Sequence, residues 1–277
     1  MMSNLRKNLA PIPPEAWGFI EAEAKAVLNT KLSGRKVVDF IGPKGIDFAA
    51  VNTGRRVLFD DSQLEGIKYY KRHTLPLVEV EIPFKLSLEE VEALSRGAED
   101  IDTDSLIEAA EKLARAEDEA IFYGIDEASI EGLIDSSSQE IIEINKEEGI
   151  VSAVANGVKN LVMENIEGPY MLLLAPPLYS MLYTLNEIDD KGYPTKKRLE
   201  ELIQGRVIPA PVLGDQGLLL STRGEDFELI VGQDISIGYS SHTDDEIEFF
   251  FMESFTFRVN TPEAIVCLLY TSPSPRD

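Results

Sequence analysis

The residue types that most often carry catalysis or metal binding are scarce in this chain. It contains two histidines, His73 and His242, and one cysteine, Cys267. A metal site needs several His, Cys, Asp or Glu side chains at set spacing, and a disulfide needs two cysteines. His242 stands just before Asp244 and Asp245. That segment is either a small acid–base or metal cluster or, more simply, a polar turn.

Motifs of nucleophilic and nucleotide chemistry are missing as well. The chain has no Gly-x-Ser-x-Gly elbow and no glycine-rich dinucleotide loop. The segment Gly42-Pro43-Lys44-Gly45 lacks the Lys-Ser/Thr ending of a phosphate loop, so it predicts a turn. Carboxylate pairs occur throughout a chain with 49 acidic residues, and none of them by itself indicates a hydrolase. No residue is predicted to act as a catalyst.

The charge balance excludes one class of partner. The 277 residues carry 49 acidic and 26 basic side chains, a formal net charge of -23. Nucleic-acid binding needs a basic surface, so no nucleic-acid partner is expected. No apolar run is long enough for a transmembrane helix, and the N-terminus lacks a signal-peptide pattern. These features predict a cytoplasmic protein without a membrane partner.

The loop 186–194, with the sequence NEIDDKGYP, could acquire chemistry through assembly. In a single chain it is a solvated loop. If several chains meet at this loop around a rotation axis, its acids form a ring, and rings of carboxylates select for cations.

The longest strand pattern of the chain ends at Val259. From Ile247 onward, apolar side chains alternate with polar ones, and Glu253 is the polar exception on the apolar face. The opposite, polar face carries Glu248, Ser254, Thr256 and Arg258, and Phe250 and Met252 interrupt it. A second strand-like run, from Glu228 to Tyr239, precedes it. The two runs predict an antiparallel pair with one deeply buried face.

The helices earlier in the chain are predicted to cover that buried face, and two of them are long. One begins at Pro14 and ends at Gly34; its apolar stripe is either core or a docking groove. The other runs from Ser105, with a capping-box pattern, to Tyr123. The charged face of this second helix is predicted to be solvated, and it carries Glu111, Lys112, Arg115, Glu117 and Asp118.

Three further segments complete the organisation. Residues 51–76 carry a basic cluster and predict a hairpin, which is either a mobile loop or an arm that pairs with a neighbouring subunit. Residues 126–145 are predicted to be mostly polar and irregular, and 135–220 to form a compact helix–strand insertion. The final segment, CLLYTSPSPRD, is predicted not to continue the fold.

Several segments of the chain resemble the encapsulin shell proteins, also called linocin-type proteins. They are LAPIPPEAW, LSGRKVVDFIGPKG, TLPLVEVEIPFKL, EDEAIFYG, IEGPYMLLL, VGQDISIGY and ESFTFRV, and they occur in the same order and spacing from about Leu9 to Val266. The resemblance implies an α+β fold of the Hong Kong 97 phage-capsid type, with a peripheral domain, an extended loop and an axial domain.

The implied domains divide the chain into six parts. They are 1–50 (N-terminal arm, lumen-facing helix and first strand of the peripheral domain), 51–76 (extended loop), 77–134 (peripheral domain with the spine helix), 135–222 (axial domain), 223–266 (closing strands of the peripheral domain) and 267–277 (a tail outside the family).

The function implied by the resemblance is structural rather than enzymatic. Chains would self-assemble into an icosahedral compartment of about 60 copies or a multiple, because closed symmetry sets the count. The shell would enclose a cargo enzyme, a ferritin-like protein or a dye-decolorising-type peroxidase, through its C-terminal targeting peptide. The implied peptide-binding residues are Leu28, Leu32, Val38, Asp39, Asp234, Ile235 and Ile237. The implied pore-loop residues are Glu187, Asp189, Asp190, Lys191, Gly192 and Tyr193.

No cofactor is expected. Some members of the family bind a flavin against an aromatic residue at the start of the short helix, where this chain has Glu89. A phage major capsid protein is the nearest alternative, but such proteins often begin with a long charged helical segment, and here the first helix begins by Pro14. A soluble hydrolase or protease is the second alternative, and it lacks a nucleophile constellation.

Overall fold

The computed structural model describes residues 5–59, 66–144, 149–183 and 194–270. The helices are α1 (Pro14–Lys31), α2 (Leu88–Ser95), α3 (Asp104–Phe122), α4 (Leu133–Ser136), α5 (Gly149–Met163), α6 (Pro176–Met181) and α7 (Thr195–Ile203). The strands are β1 (Asp39–Ile41), β2 (Ala50–Phe59), β3 (Tyr69–Pro76), β4 (Val78–Ser87), β5 (Gly124–Ile125), β6 (Ile130–Glu131), β7 (Ile142–Ile144), β8 (Tyr170–Leu174), β9 (Val207–Pro209), β10 (Gln216–Ser221), β11 (Phe227–Val231), β12 (Ser236–His242), β13 (Glu246–Val259) and β14 (Ile265–Tyr270).

Strand β13 is the centre of the first sheet. One of its edges pairs antiparallel with β4, from Glu246 opposite Ser87 to Phe255 opposite Val78. Its other edge pairs antiparallel with β12 and then β11, and β1 adds to β11 in parallel. The predicted antiparallel pair is therefore confirmed, and the run before β13 is divided into two strands by the turn 232–235.

The apolar side of β13 is buried as its alternation predicts, but its other side is not uniformly solvated. Ser254 and Thr256, predicted on the polar face, are 7% and 0% exposed. Ser254 Oγ accepts a hydrogen bond from the backbone N–H of Gln233 at 2.8 Å. Alternation identifies which side chains share a face, and it cannot reveal that a second layer covers the polar one.

Helices α1 and α3 cover the apolar side of this sheet. Pro14 occupies the first turn of α1, where its missing N–H costs nothing. Ile20, Ala24 and Leu28 then recur every four residues and are all buried. Trp17 packs edge-on against Phe249 of β13, with ring centroids 5.2 Å apart. The sequence therefore placed the two covering helices correctly.

The second sheet has the order β7-β14-β10-β8-β9 and belongs to the core around α5. The prediction that the fold ends at Val266 is wrong, because Cys267–Tyr270 continue strand β14. Leu268 pairs with Gly217 on one side and with Ile142 on the other, and it is fully buried. Pro273 and Pro275 were the reason to predict that the whole segment lies outside the fold. The four residues 267–270 are nevertheless apolar enough to form a central strand.

Strands β2 and β3 confirm the hairpin predicted for residues 51–76. Strands β2 and β3 pair antiparallel from Ala50 opposite Pro76 to Phe59 opposite Tyr69. Large apolar side chains near its far end are exposed, including Leu58 at 53% and Tyr70 at 41%. The hairpin thus leaves the body of the molecule and exposes apolar surface.

Some local predictions are wrong. Helix α3 begins at Asp104, and Ser105 Oγ donates to the Lys85 carbonyl instead of capping the helix. Residues 126–145 are not wholly irregular, since they include β6, α4 and β7. None of the helices in the described segments is both long and apolar enough to cross a bilayer.

Candidate functional site

A groove of about 360 Å³ lies between helix α1 and the start of strand β12. Five of the seven residues implied for peptide binding line it: Leu28, Leu32, Asp234, Ile235 and Ile237. Its other lining residues are Lys7, Glu21, Ala24, Lys25, Asn29, Arg35, Ser236 and Phe251. The groove is thus lined by apolar side chains together with charged ones.

The two walls follow from local sequence. In α1, Ala24 and Leu28 are four residues apart and share one face, and Leu32 ends the helix on that side. In the opposite wall, Ile235 and Ile237 are two residues apart, as for side chains on one face of an extended chain. Ile235 is half-buried, whereas Ile237 is buried.

The outer edge of β12 is partly occupied by the N-terminal arm. The backbone N–H of Tyr239 donates to the Leu5 carbonyl at 2.8 Å, away from β13. Alternate residues of a strand direct their N–H groups to the same edge, so the N–H of Ile237 points outward too. An extended peptide in the groove could therefore bond to this edge.

The remaining two implied residues lie elsewhere. Val38 and Asp39 line a separate cavity of about 200 Å³ together with Thr222 and Phe227. Asp39 Oδ2 accepts a hydrogen bond from the backbone N–H of Glu225 at 2.5 Å. The structure does not bring these two residues together with the other five.

A cluster of four charged residues underlies the groove. Arg35 donates from Nε to both carboxylate oxygens of Glu117 at 2.9 and 2.8 Å, and from Nη2 to Glu117 at 2.6 Å. Nη2 also donates to Glu253, and Nη1 donates to Asp234 at 2.9 Å. Burial lowers the pKa of Arg35, but the bonds to Glu117 and the three nearby carboxylates outweigh it, so the pKa rises overall.

Both interior glutamates of this cluster are fully buried. The prediction that Glu117 is solvated is wrong, since its side chain is 0% exposed. Glu253, the polar exception on the apolar face of β13, is 0% exposed as well. Burial and the adjacent Glu117 charge raise the pKa of Glu253 well above its ordinary value. Three carboxylates share one guanidinium, which favours the retention of a proton on Glu253.

The predicted solvation of Asp118 is wrong too. This residue is 3% exposed and accepts backbone hydrogen bonds from Ser33 at 3.0 Å and Gly34 at 2.8 Å, together with one from the Ser33 hydroxyl. Burial raises the pKa of Asp118 to about 6, although these bonds favour the charged form. A Cβ at Gly34 would lie 2.6 Å from Ile121 Cδ1, so glycine permits the close approach to α3.

Sequence reasoning missed Arg35, Glu117 and the role of Glu253. Arg35 lies 82 residues from Glu117 and 218 residues from Glu253, so no periodic pattern relates them. The available signal was Glu253 itself, because a lone acid on an otherwise apolar strand face needs a buried cation.

The six implied pore-loop residues lie outside the described residues. Within the described segments, no group of three or more His, Cys, Asp or Glu side chains is placed to hold a metal ion. The ring nitrogen Nδ1 of His242 lies 2.6 Å from the Tyr239 hydroxyl. Thr243 and Glu246 close a hairpin turn, since the Thr243 N–H donates to the Glu246 carbonyl at 2.8 Å. Of the two interpretations of this segment, the geometry favours the polar turn.

Comparison with known proteins is consistent along the chain. The family model Linocin_M18, described as an encapsulating protein for peroxidase, matches residues 2–256. The type 1 encapsulin shell protein of Rhodococcus erythropolis is 38% identical over 96% of this chain and 100% of that protein. The type 1 encapsulin shell protein of Mycobacterium tuberculosis is 38% identical over 96% of this chain and 99% of its own length.

Solved structures agree on the fold. A virus-like particle from Pyrococcus furiosus matches with a TM-score of 0.63 and 18% identity, over 91% of this chain and 98% of that chain. The capsid of Myoviridae phage XM1 matches with a TM-score of 0.56 and 12% identity, over 87% of this chain and 92% of that chain. These matches confirm the α+β phage-capsid-like fold. The relatives at 38% identity favour a shell protein over a phage capsid protein or an enzyme. The chain belongs to the encapsulin family of shell proteins.

Proposed function

We propose that this chain assembles into a closed icosahedral shell of about 60 copies or a multiple, because closed symmetry sets the count. The shell encloses a cargo enzyme in the cytoplasm as a nanocompartment. The groove between α1 and β12 carries this proposal, since it joins apolar side chains to an outward-facing strand edge. Membership of a shell-protein family and a capsid-like fold support the assembly.

The groove binds the C-terminal targeting peptide of the cargo. Leu28, Leu32, Ile235 and Ile237 bury the apolar side chains of an extended peptide, and the outer edge of β12 adds main-chain hydrogen bonds. Asp234 belongs to the same site. Val38 and Asp39 line the separate cavity beside Phe227, where they contact a longer peptide that extends beyond the groove.

The cargo is a ferritin-like protein or a dye-decolorising-type peroxidase, which would give the compartment a role in iron storage or in oxidative stress. The description of the matching family, an encapsulating protein for peroxidase, supports the second of these. The acidic loop that contains Asp189 and Asp190 lines an axial pore and attracts ferrous ions towards the cargo. If iron uptake is unchanged after Asp189→Asn and Asp190→Asn, this attraction is refuted.

The hairpin β2–β3 pairs with a neighbouring subunit. Its exposed apolar residues lie on a two-stranded ribbon, which is marginally stable by itself and gains stability when a second chain covers it. The shell holds no flavin, since Glu89 at the start of α2 is exposed and offers no aromatic ring. With a net charge of -23, it packages no nucleic acid.

Cargo loading tests the groove directly. The chain is expressed with a fluorescent protein that carries the C-terminal tail of a ferritin-like protein or of a peroxidase, and particles are separated by sedimentation. Wild-type particles and the conservative variant Ile235→Val are expected to retain one of the two reporters. Ile235→Asp is expected to give intact but empty particles, because a carboxylate would be desolvated by the bound peptide. Normal loading of Ile235→Asp particles would refute the site.

A further inference from the structure

The wall of the groove at residues 233–236 consists of the turn that carries Ile235 and of Ser236, the first residue of β12. Asp234 organises it: its Oδ1 accepts the Ile235 N–H at 2.9 Å, and its carbonyl accepts the Ser236 hydroxyl at 2.7 Å. The Gln233 amide reaches the same carbonyl at 3.3 Å. These bonds hold the turn together internally, but they do not fix it relative to α1.

Gln233, at the start of the turn, is already bonded to Ser254 of β13, and Arg35 adds a second link, from Asp234 to the interior. Its Nη1 donates to Asp234 Oδ1 at 2.9 Å, to the same oxygen that receives the Ile235 N–H. One carboxylate oxygen therefore connects the guanidinium with the backbone of the groove wall. Asp234 is 41% exposed at its side chain, whereas Arg35 is 19% exposed.

Arg35 is itself held by the interior. Its other donors are used by Glu117 of α3 and Glu253 of β13, both fully buried. The guanidinium carbon also lies 5.0 Å from the centre of the Phe40 ring. The residues just before it, Ser33 and Gly34, are bound to Asp118 of α3. The arginine therefore has little freedom to move.

We propose that Arg35 is a positioning residue for the groove, which transmits the rigid frame of α3 and β13 to the wall at residues 233–236. Asp234 then acts by shaping this wall, since its Oδ1 is already engaged by two donors. The inference rests on the proposed function of the groove and deepens it, because it assigns Asp234 and Arg35 to the shape of the site rather than to contact with the peptide.

The chemistry of the guanidinium sets the test. Arginine offers five N–H donors in one plane, and here it bonds three carboxylates at once. Lysine keeps the charge but has a compact ammonium on a flexible stem, so it cannot hold the three acids in one geometry. Arg35→Lys thus separates geometry from charge. Lys36→Arg is the matched control. Lys36 is exposed, and among the bonds the structure describes its side-chain Nζ donates only to the Thr30 carbonyl.

Hydrogen exchange of assembled particles, followed by mass spectrometry, reads the wall without any ligand. In Arg35→Lys, the amides of residues 235 and 236 are expected to exchange about tenfold faster, as for the loss of one charge-assisted hydrogen bond. In Arg35→Lys, the amides of β13 are expected to exchange at the wild-type rate. In Lys36→Arg, the amides of the groove wall are expected to do so as well. The double variant with Asp234→Ala is expected to exchange no faster than Asp234→Ala alone, because that substitution already removes the Arg35 bond together with the acceptor of the Ile235 N–H.

Loading of the fluorescent reporter is the second readout. Arg35→Lys and Asp234→Ala particles are expected to retain about a tenth of the reporter, by the same loss of one bond. If Arg35→Lys does not assemble, Asp234→Asn decides, since its amide oxygen can still accept the Ile235 N–H, its lost charge weakens the bond to Arg35, and it leaves the buried glutamates in place. Wild-type exchange at residues 235 and 236 in Arg35→Lys or in Asp234→Asn particles would overturn the inference. Failure of wild-type particles to load any reporter, with exchange still increased, would refute the cargo site but leave the positioning role intact.

Discussion

Two buried glutamates share Arg35, and replacement of each by glutamine is expected to give different results. Glu117 accepts hydrogen bonds through both of its carboxylate oxygens, at 2.9, 2.8 and 2.6 Å. Glu253 accepts through Oε1, and its buried Oε2 has no hydrogen-bond partner among the described atoms. Glu117→Gln would turn an amide N–H₂ towards the guanidinium, whereas the amide of Glu253→Gln can place its N–H₂ at the unpartnered position.

The stability costs of the two substitutions follow from this difference in hydrogen bonding. Loss of one partner of a buried ion pair costs about 3 to 5 kcal/mol, because the other charge stays desolvated. Glu117→Gln is expected to fall in this range. Glu253→Gln is expected to cost less than about 1 kcal/mol at mildly acidic pH, where the raised pKa of Glu253 already keeps the carboxyl protonated.

The free energies of unfolding of the wild-type protein and of Glu253→Gln should diverge as the pH rises. The folded-state pKa of Glu253 is raised, so its contribution to stability is complete below the ordinary glutamate pKa and is lost as the pH rises through the raised value. Glutamine does not titrate. The stability of Glu253→Gln relative to the wild-type protein should therefore increase with pH through this window.

The assay is guanidinium unfolding of assembled particles at one fixed chain concentration, from about pH 5 to about pH 9, a range that spans the usual stability maximum. Glu119→Gln is the control, because Glu119 lies on the same helix and its bond to Arg115, at 2.7 Å, is solvent-exposed. An exposed pair of this kind contributes at most about 1 kcal/mol. Equal losses for Glu117→Gln and Glu253→Gln, or a pH profile of Glu253→Gln that parallels wild type, would refute the assignment.

Two predictions concern the end of the chain. A chain ending at Val266 should fail to form soluble particles, because it loses buried Leu268 and the pairing with β7, whereas a chain ending at Tyr270 should assemble; sedimentation would distinguish them. The Cys267 thiol should resist alkylation in intact particles and react in guanidinium, since it is 6% exposed and burial raises its pKa, and rapid labelling of intact particles would contradict its position in β14.

Sequence periodicity predicted the helices and strands whose pattern depends only on whether each side chain is buried or exposed. The alternation in β13 and the four-residue spacing in α1 identified the strand and the helix that form the two sides of one core. Leu28 and Leu32 were implied for peptide binding by the family resemblance, and the structure places both at the groove. Such patterns work because each position reports only whether its own side chain faces the interior.

Pairwise features could not be predicted in this way. Arg35, Glu117 and Glu253 look like ordinary charged residues in their own segments, and Glu117 lies on a helix face that reads as solvated. Whether each of them is solvated or forms a buried ion pair depends on which distant residue it contacts, and only the fold determines that contact. The final strand was missed for a related reason: the prolines that follow Tyr270 outweighed four apolar residues whose partners, in β7 and β10, are remote in sequence.

The most direct test of the account is electron microscopy of the full chain expressed alone. Self-assembly through subunit contacts predicts uniform closed particles with icosahedral symmetry, whose diameter gives the number of chains. Monomers or small oligomers at the same chain concentration would contradict the claim that this chain builds a shell.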